Sequence, residues 1–308
     1  MNSAVALVIA LGLDGWLGEP RWLWRHAPHP AVLMGRLVGW TDTRFNGGGP
    51  GRARGLAALA LFIVVGIVVG LGIGALPGGP LWEIAVAAIL LAQRSLVDHV
   101  DDVAVALRRS VVEGRGAVSR IVGRETAEMD GAQVSRAAIE SAAENLSDAV
   151  VAPAFWFLVA GLPGMLVYKM VNTADSMIGY RTDRHLGFGW ASARTDDLMN
   201  LVPARLTALL IAGLYGGLGQ WRAIAAEARQ HRSPNAGWPE AAMARALGLA
   251  LSGPRRYHGV LSDDPFVNAT GRRDAGPRDI HATVQVLWRV WSALVLATAT
   301  IGAVTLFG

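Results

Sequence analysis

Three acids recur every four residues in the stretch AIESAAENLSDAVVAP (residues 138–153): Glu140, Glu144 and Asp148. On a helix that spacing puts them on one face, with Ser141 and Asn145 beside them. Carboxylates stacked this way repel one another unless cations neutralise them. The chain turns apolar directly afterwards, and acids at a membrane border that face a protein interior mark function. Magnesium is the matching cation, because it prefers oxygen ligands and bridges substrate phosphates. A solvated acidic face, with Arg136 pairing Glu140 at helical spacing, is the plainer account of the same pattern.

Further stretches carry the same kind of chemistry. In KMVNTADSMIGYRTDR (169–184), Asn172, Asp175 and Ser176 lie at helical spacing just past an apolar segment. Asn and Asp ligate hard cations, and Lys169, Arg181 and Arg184 suit phosphate or carboxylate oxygens. Helix capping by Asn172 and Asp175 is the plain alternative. In SARTDDLMNLVPAR (192–205), Asp196, Asp197 and Asn200 precede an apolar helix that contains Arg205. An arginine there is costly unless it snorkels or finds a partner such as Asp197 or an anionic substrate. SPNAGWPE (233–240) fixes an unusual backbone with two prolines and a glycine, which alone reads as a turn. Arg120 and Arg124 flank Gly123 in RIVGRET (120–126), and His29 stands alone before Pro30. Asp98, Asp101 and Asp102 form a fragment of an aspartate-rich diphosphate motif beside His99, a pattern that a helix end produces equally well.

These residues sit in a chain built for a bilayer. Of 308 residues 52% are hydrophobic and 17% charged, against about 25% charged in soluble domains. The net charge is +4, but the arginines fall between apolar segments, which fits a positive-inside pattern and not a nucleic-acid face. The absence of cysteine excludes disulfides, thiolate metal sites and cysteine nucleophiles. There is no P-loop, G-x-S-x-G or H-E-x-x-H pattern.

The positioning elements follow from hydropathy. Ala4 to Leu13 reads as a short retained membrane segment, partly buried in protein, because no basic residue precedes it and no cleavage site follows. Leu56 to Leu76 is a clear span, and Leu81 to Val97 returns after a Pro-Gly turn. Residues 98–148 are polar and mostly helical, with a turn expected at Gly114 to Gly116. Residues 149–171 are apolar but interrupted by Gly161, Pro163 and Gly164, and 198–219 contain Pro203 and Arg205. Residues 172–197 and 221–281 are polar, Val284 to Phe307 is the last span, and Gly47 to Gly51 reads as a flexible loop. Four arginine-rich regions placed on one side would make 149–171 and 198–219 re-entrant, which the charge pattern favours over two ordinary spans. The expected fold is all-α, a multi-pass membrane protein of about four to six membrane helices in one domain spanning 1–308.

Taken in order, the motifs resemble the CobD/CbiB family of adenosylcobinamide-phosphate synthases. The resemblance rests on Leu13-Asp14 with Gly18-Glu19-Pro20, His29-Pro30, Gly35, RIVGRET, AAIESAAENLSDAVVAPAFW (137–156), YKMVNTADSMIGYR (168–181), FGWASARTDDLMNLVPARLTALL (188–210) and SPNAGWPEAAMARALG (233–248). Glu125 stands where the family commonly has Asp. The resemblance implies an amide ligase of the cytoplasmic membrane, with its active site facing the cytoplasm. Such an enzyme uses ATP and magnesium to join (R)-1-aminopropan-2-ol O-phosphate, or free aminopropanol, to adenosylcobyric acid. It implies no nucleic-acid partner, and a homo-oligomer or a complex with other late cobalamin-pathway enzymes. On that footing Glu140, Glu144, Asp148, Asn172 and Asp175 are expected to hold magnesium and ATP. Asp197 or one of the other acids serves as base. Arg124, Arg181 and Arg205 meet phosphate oxygens, and Asn145, Asn200, Ser233 and Asn235 meet substrate. A prenyl- or phospho-alcohol transferase using Asp98 to Asp102 with Asp175, and a non-catalytic corrinoid scaffold or transporter, are the competing readings.

Overall fold

A computed structural model of the chain describes residues 2–19, 24–47, 51–257, 260–262 and 264–307. Pro20 of the Gly-Glu-Pro stretch and residues 48–50 of the glycine run lie outside them. The chain divides into two compact units that interleave in sequence. The first comprises Met1–Ala92, Ala152–Asn200 and Val295–Gly308, and the second Gln93–Val151 and Leu201–Leu294.

The first unit is helical throughout: α1 (Ser3–Leu17), α2 (Pro30–Phe45), α3 (Arg52–Gly74) and α4 (Gly79–Leu90), with later α8 (Ala152–Ile178) and α9 (Trp190–Met199). Asn2 caps α1 by accepting from Ala4 N–H at 2.8 Å. Leu7 and Leu11 of this short helix are fully buried, as its length implied. Helix α3 is 23 residues long, or about 34 Å at 1.5 Å per residue, enough to cross a hydrocarbon core. Val64, Val68 and Leu71 stand exposed on it, a display of apolar surface suited to lipid. Its other side meets α8: a Cβ on Gly70 would lie 2.6 Å from the Pro163 backbone, so glycine allows the two helices to touch.

Helix α8 is broken where the sequence placed its Gly-Leu-Pro-Gly interruption. Ala160 and Gly161 leave helical geometry, and Gly161 sits at φ 64, ψ −160. Glycine reaches that region without a Cβ clash, and Pro163 starts the next helical turn where its missing N–H is not needed. The helix continues to Ile178, so Asn172 and Asp175 lie on its last turns and cap no helix start.

The second unit holds α5 (Gln93–Arg109), α6 (Val111–Val118) and α7 (Gly131–Asn145), which runs on as a π-helical turn over Leu146–Val151. It continues with α10 (Leu201–Leu214), α11 (Trp221–Ala228), α12 (Gly237–Leu247) and the first part of α13 (Pro277–Phe307). Two small antiparallel pairs interrupt the helical pattern, β1 (Leu251–Ser252) with β4 (Phe266–Val267) and β2 (Arg255–Tyr257) with β3 (Val260–Ser262). Helix α4 ends at Leu90 and α5 begins at Gln93, with Leu91 extended between them, so the apolar run from Leu81 to Val97 carries a local break. The turn expected at Gly114 to Gly116 lies instead at Ser110, whose hydroxyl accepts from Glu113 N–H at 3.1 Å and caps α6. Gly114 serves packing, because a Cβ there would meet Leu107 at 2.8 Å.

Four helical runs are long and apolar enough to cross a membrane: residues 52–74, 79–109, 131–178 and 277–306. Helices α9 and α10 pass the same test together as a bent pair, giving up to five. Of the two segments that the charge pattern made re-entrant, 149–171 is broken at Ala160-Gly161, whereas residues 201–214 run as one helix through Pro203 and the bend lies before it, at Asn200.

In the first unit, a polar clasp ties α2 to the loop after α8. The Asp42 carboxylate accepts from Arg184 Nη2 at 2.8 Å and Asn46 Nδ2 at 2.7 Å, with His185 Nε2 at 3.3 Å. Burial pushes this carboxyl up, but the hydrogen bonds from Asn46, Arg184 and His185 outweigh it and hold Asp42 below its ordinary value. A depressed carboxylate contributes stability that is present above its unfolded pKa and lost as pH falls through the folded one. The exchange protection of residues 182–189, corrected for the intrinsic pH dependence of amide exchange, should therefore fall as pH drops below the usual carboxylate range. Asp42→Asn should show the lower protection at neutral pH with no further acid response. An unchanged acid response in Asp42→Asn would assign the effect to another group.

Candidate functional site

In the second unit, the acids of α7 divide by environment. Glu140 is buried, Glu144 is exposed and Asp148 is half-buried. Glu140 Oε2 accepts from Arg124 Nη2 at 2.5 Å and Oε1 from the Ser252 backbone N–H at 2.7 Å. The RIVGRET segment is tied down a second time, by Ser141 Oγ donating to the Ile121 carbonyl at 2.6 Å. Asn145 Nδ2 in turn donates to the Ser141 carbonyl at 2.9 Å. Asp148 lies within the π-helical turn. The wider turn breaks the strict four-residue repeat, so Asp148 does not continue the face of Glu140 and Glu144 as an ideal helix would place it. Such turns interrupt α-helices frequently at functional positions.

Arg205 of α10 finds neutral partners. Its Nη1 donates to the Leu201 carbonyl at 2.7 Å and to Asn235 Oδ1 at 3.2 Å, and its guanidinium lies 4.7 Å from the centre of the Trp238 ring. Ser233 Oγ accepts from the backbone N–H groups of Asn235 and Ala236, so its hydroxyl shapes the turn before α12. Next to that turn, a cavity of about 90 Å³ opens among Glu227, His231, Arg232, Ser252, Asp264 and Phe266. His231 Nε2 is 3.6 Å from Glu240 Oε1, and Arg245 Nη1 donates to Glu227 Oε2 at 2.5 Å. None of His231, Glu227 or Arg245 stood out in the sequence, since only the fold brings α11, α12 and the β1–β4 pair together.

In the first unit, the end of α8 and α9 build a second polar group. Asp196, 9% exposed, accepts from Asn172 Nδ2 at 3.2 Å on one oxygen and from Asn200 Nδ2 at 3.1 Å on the other. Tyr168, fully buried, donates its hydroxyl to Asn200 Oδ1 at 3.0 Å. Asp197 is a third exposed and lies 3.6 Å from Arg194. Asp175 is half-buried against Gly179, where any Cβ would strike its carboxylate. Arg181 is exposed just beyond α8. The sequence pointed to Asp197; the residue held in the network is its neighbour. The four-residue spacing of Asp196 and Asn200 was the available signal.

His29 caps α2 through Nδ1, which accepts from Ala31 N–H at 3.1 Å, and packs edge-on against Trp24. The aspartates of residues 98–102 are each paired separately: Asp98 with Arg94, Asp101 with His281 and Asp102 with Arg120. Among the described residues the three are thus held by three different side chains.

Among the described residues, no three His, Asp or Glu side chains converge. Magnesium on a nucleotide asks for fewer, one or two carboxylates completed by phosphate oxygens and waters. Glu144 and Asp148 in the second unit, and Asp175 in the first, are each carboxylates and so have the donor chemistry for it.

Several apolar spans, with carboxylates and amides held on their helices, define a multi-pass helical membrane protein. The chain belongs to the CobD/Cbib protein family, whose pattern it matches over residues 7–287. It is 48% identical to the cobalamin biosynthesis protein CobD of Brucella suis biovar 1, over 97% of both chains. The proteins of the same name from Rhizobium meliloti and Rhodobacter capsulatus are 50% and 45% identical, over 95% and 96% of both chains. No solved structure matches it at a significant level.

Proposed function

We propose that this chain acts in cobalamin biosynthesis as an ATP- and magnesium-dependent amide ligase. It would join (R)-1-aminopropan-2-ol O-phosphate, or aminopropanol, to the free carboxylate of adenosylcobyric acid. The near-complete match to relatives named cobalamin biosynthesis protein CobD carries the reading. The buried acids and amides on its helices support it in kind.

A carboxylate becomes reactive toward an amine once its oxygen is made a leaving group, and ATP supplies that as an acyl phosphate. Phosphoryl transfer is largely positioning and charge stabilisation. Magnesium, when bound, neutralises charge on the transferring phosphoryl group. Carboxylate donors for it are offered by Glu144 and Asp148 in the second unit and, separately, by Asp175 in the first; Asn172, whose Nδ2 donates to Asp196, positions that carboxylate instead. Glu140, with both oxygens already accepting from protein donors, positions Arg124. Arg124 and Arg205 in the second unit, and Arg181 in the first, meet phosphate oxygens; Asn145, Asn200, Ser233 and Asn235 orient substrate. The enzyme works in the cytoplasmic membrane with its site open to the cytoplasm, where ATP and the corrinoid are found.

The test is incubation of detergent-purified protein with adenosylcobyric acid, either amine, ATP and magnesium, read by corrinoid mass. An amide product that requires ATP is the expected result. Corrinoid binding without product would replace the ligase with a scaffold, and no binding of any substrate would overturn the reading.

A further inference from the structure

Asp196 is a carboxylate with no cation beside it. Its partners among the described residues are the two neutral amides of Asn172 and Asn200, and no Lys, Arg or His pairs with it. A buried carboxylate is normally retained only with a counter-charge, since desolvation without one is costly. Two amide donors, one per oxygen, leave roughly half of its lone-pair positions open. The amides are themselves fixed: Asn172 by its place on α8, and Asn200 by the Tyr168 hydroxyl. The result is an anion preset in orientation, slightly open to its surroundings, and lacking a positive partner. A primary ammonium, with three donors and one charge, supplies what is missing.

We propose that Asp196 holds the ammonium of the amine substrate and takes its first proton. This rests on the ligase reading above. Asp197 is less suited, because it is more exposed and already lies beside Arg194. In the step, R–NH3⁺ gives one proton to the Asp196 carboxylate and becomes a nucleophile. Its lone pair forms the C–N bond at the acyl carbon. The C–O bond to phosphate breaks, the phosphate leaves with that electron pair, and the nitrogen passes its second proton to the departing phosphate as the amide forms. Asn172, Asn200 and Tyr168 are positioning residues that keep the carboxylate aimed.

The test compares wild type with Asp196→Asn and Asp196→Glu, using two acceptors at neutral pH. One is the amino alcohol, which arrives protonated. The other is hydroxylamine, which is unprotonated there and needs neither a counter-ion nor a base; it traps the same acyl phosphate as a hydroxamate. With the amino alcohol, Asp196→Asn should lose roughly a hundredfold or more in kcat/KM for the amine, while KM for ATP stays near wild type. With hydroxylamine it should remain within a few-fold of wild type, which also shows that the variant is folded. Asp196→Glu should restore part of the amine-dependent rate. Equal loss with both acceptors, or full activity in Asp196→Asn, would overturn the assignment. A wild type that forms neither amide nor hydroxamate would instead overturn the ligase reading on which it stands.

Discussion

Replacing Glu140 with alanine is expected to cost more stability than any other single change in the second unit. Glu140 and Arg124 are both nearly out of contact with solvent, with side chains 4% and 10% exposed. Breaking a buried pair by deleting one partner leaves an uncompensated charge and costs about 3–5 kcal/mol. The cost here has a further source. Glu140 also accepts from the Ser252 N–H, and Ser252 sits at φ 63, where non-glycine residues are strained. Without the carboxylate, that N–H loses its acceptor and the β1 end of the β1–β4 pair loses its tether to α7.

The check is thermal unfolding of the detergent-solubilised protein. Glu140→Ala should melt well below wild type, and Arg124→Ala should do the same. The double variant should be less destabilised than the sum of the two, because removing both charges leaves neither stranded. Glu140→Gln should fall between, keeping an acceptor for Ser252 but losing the charge. A Glu140→Ala melting point matching wild type would mean that the pair contributes nothing to the fold.

The largest effect on activity is expected at Asp175 and Glu144. If these carboxylates hold magnesium, each supplies several kcal/mol of transition-state charge stabilisation through the ion, so alanine should cost about 10²- to 10³-fold or more in kcat. Glu144 is exposed and Asp175 half-buried, so neither truncation opens a large cavity, and membrane insertion and melting point should be preserved. Titration with magnesium separates this role from a general loss of substrate binding. Variants that lose a ligand should need more metal to reach their residual rate, with KM for the amine unchanged. Wild-type rates in both variants would remove these acids from the metal assignment. Asp175→Asn, which keeps shape and one oxygen donor, should retain more activity than Asp175→Ala.

Much of the architecture was legible because hydropathy and backbone chemistry act locally. An uncharged apolar run such as 56–76 leaves little choice but a buried or membrane helix. Gly161 and Pro163 announce a break, since one tolerates positive φ and the other lacks an N–H. The turn at Ser110 was misplaced because glycine signals two different things. At Gly114 it serves close packing against Leu107, and only the neighbouring helix reveals that.

The composition of the candidate site was also present in the sequence: the acids of 140–148, the Asn172–Asp175 pair, Asp196 to Asn200, and Arg124 and Arg205. What each residue does was not. Glu140 and Glu144 are equivalent by spacing, yet one is buried on Arg124 and Ser252 while the other faces out. Asp196 and Asp197 are adjacent and identical in type, yet helix geometry turns one toward Asn172 and the other toward Arg194. The physical reason is range. Helix periodicity and turn chemistry are decided within a few residues, so the sequence by itself determined the spans, the breaks and the types of chemistry on offer. Desolvation and pairing depend on groups far away in the chain, such as Ser252, 112 positions from Glu140. Which carboxylate is paired with an arginine, and which accepts from two amides, was therefore decided by the tertiary structure alone.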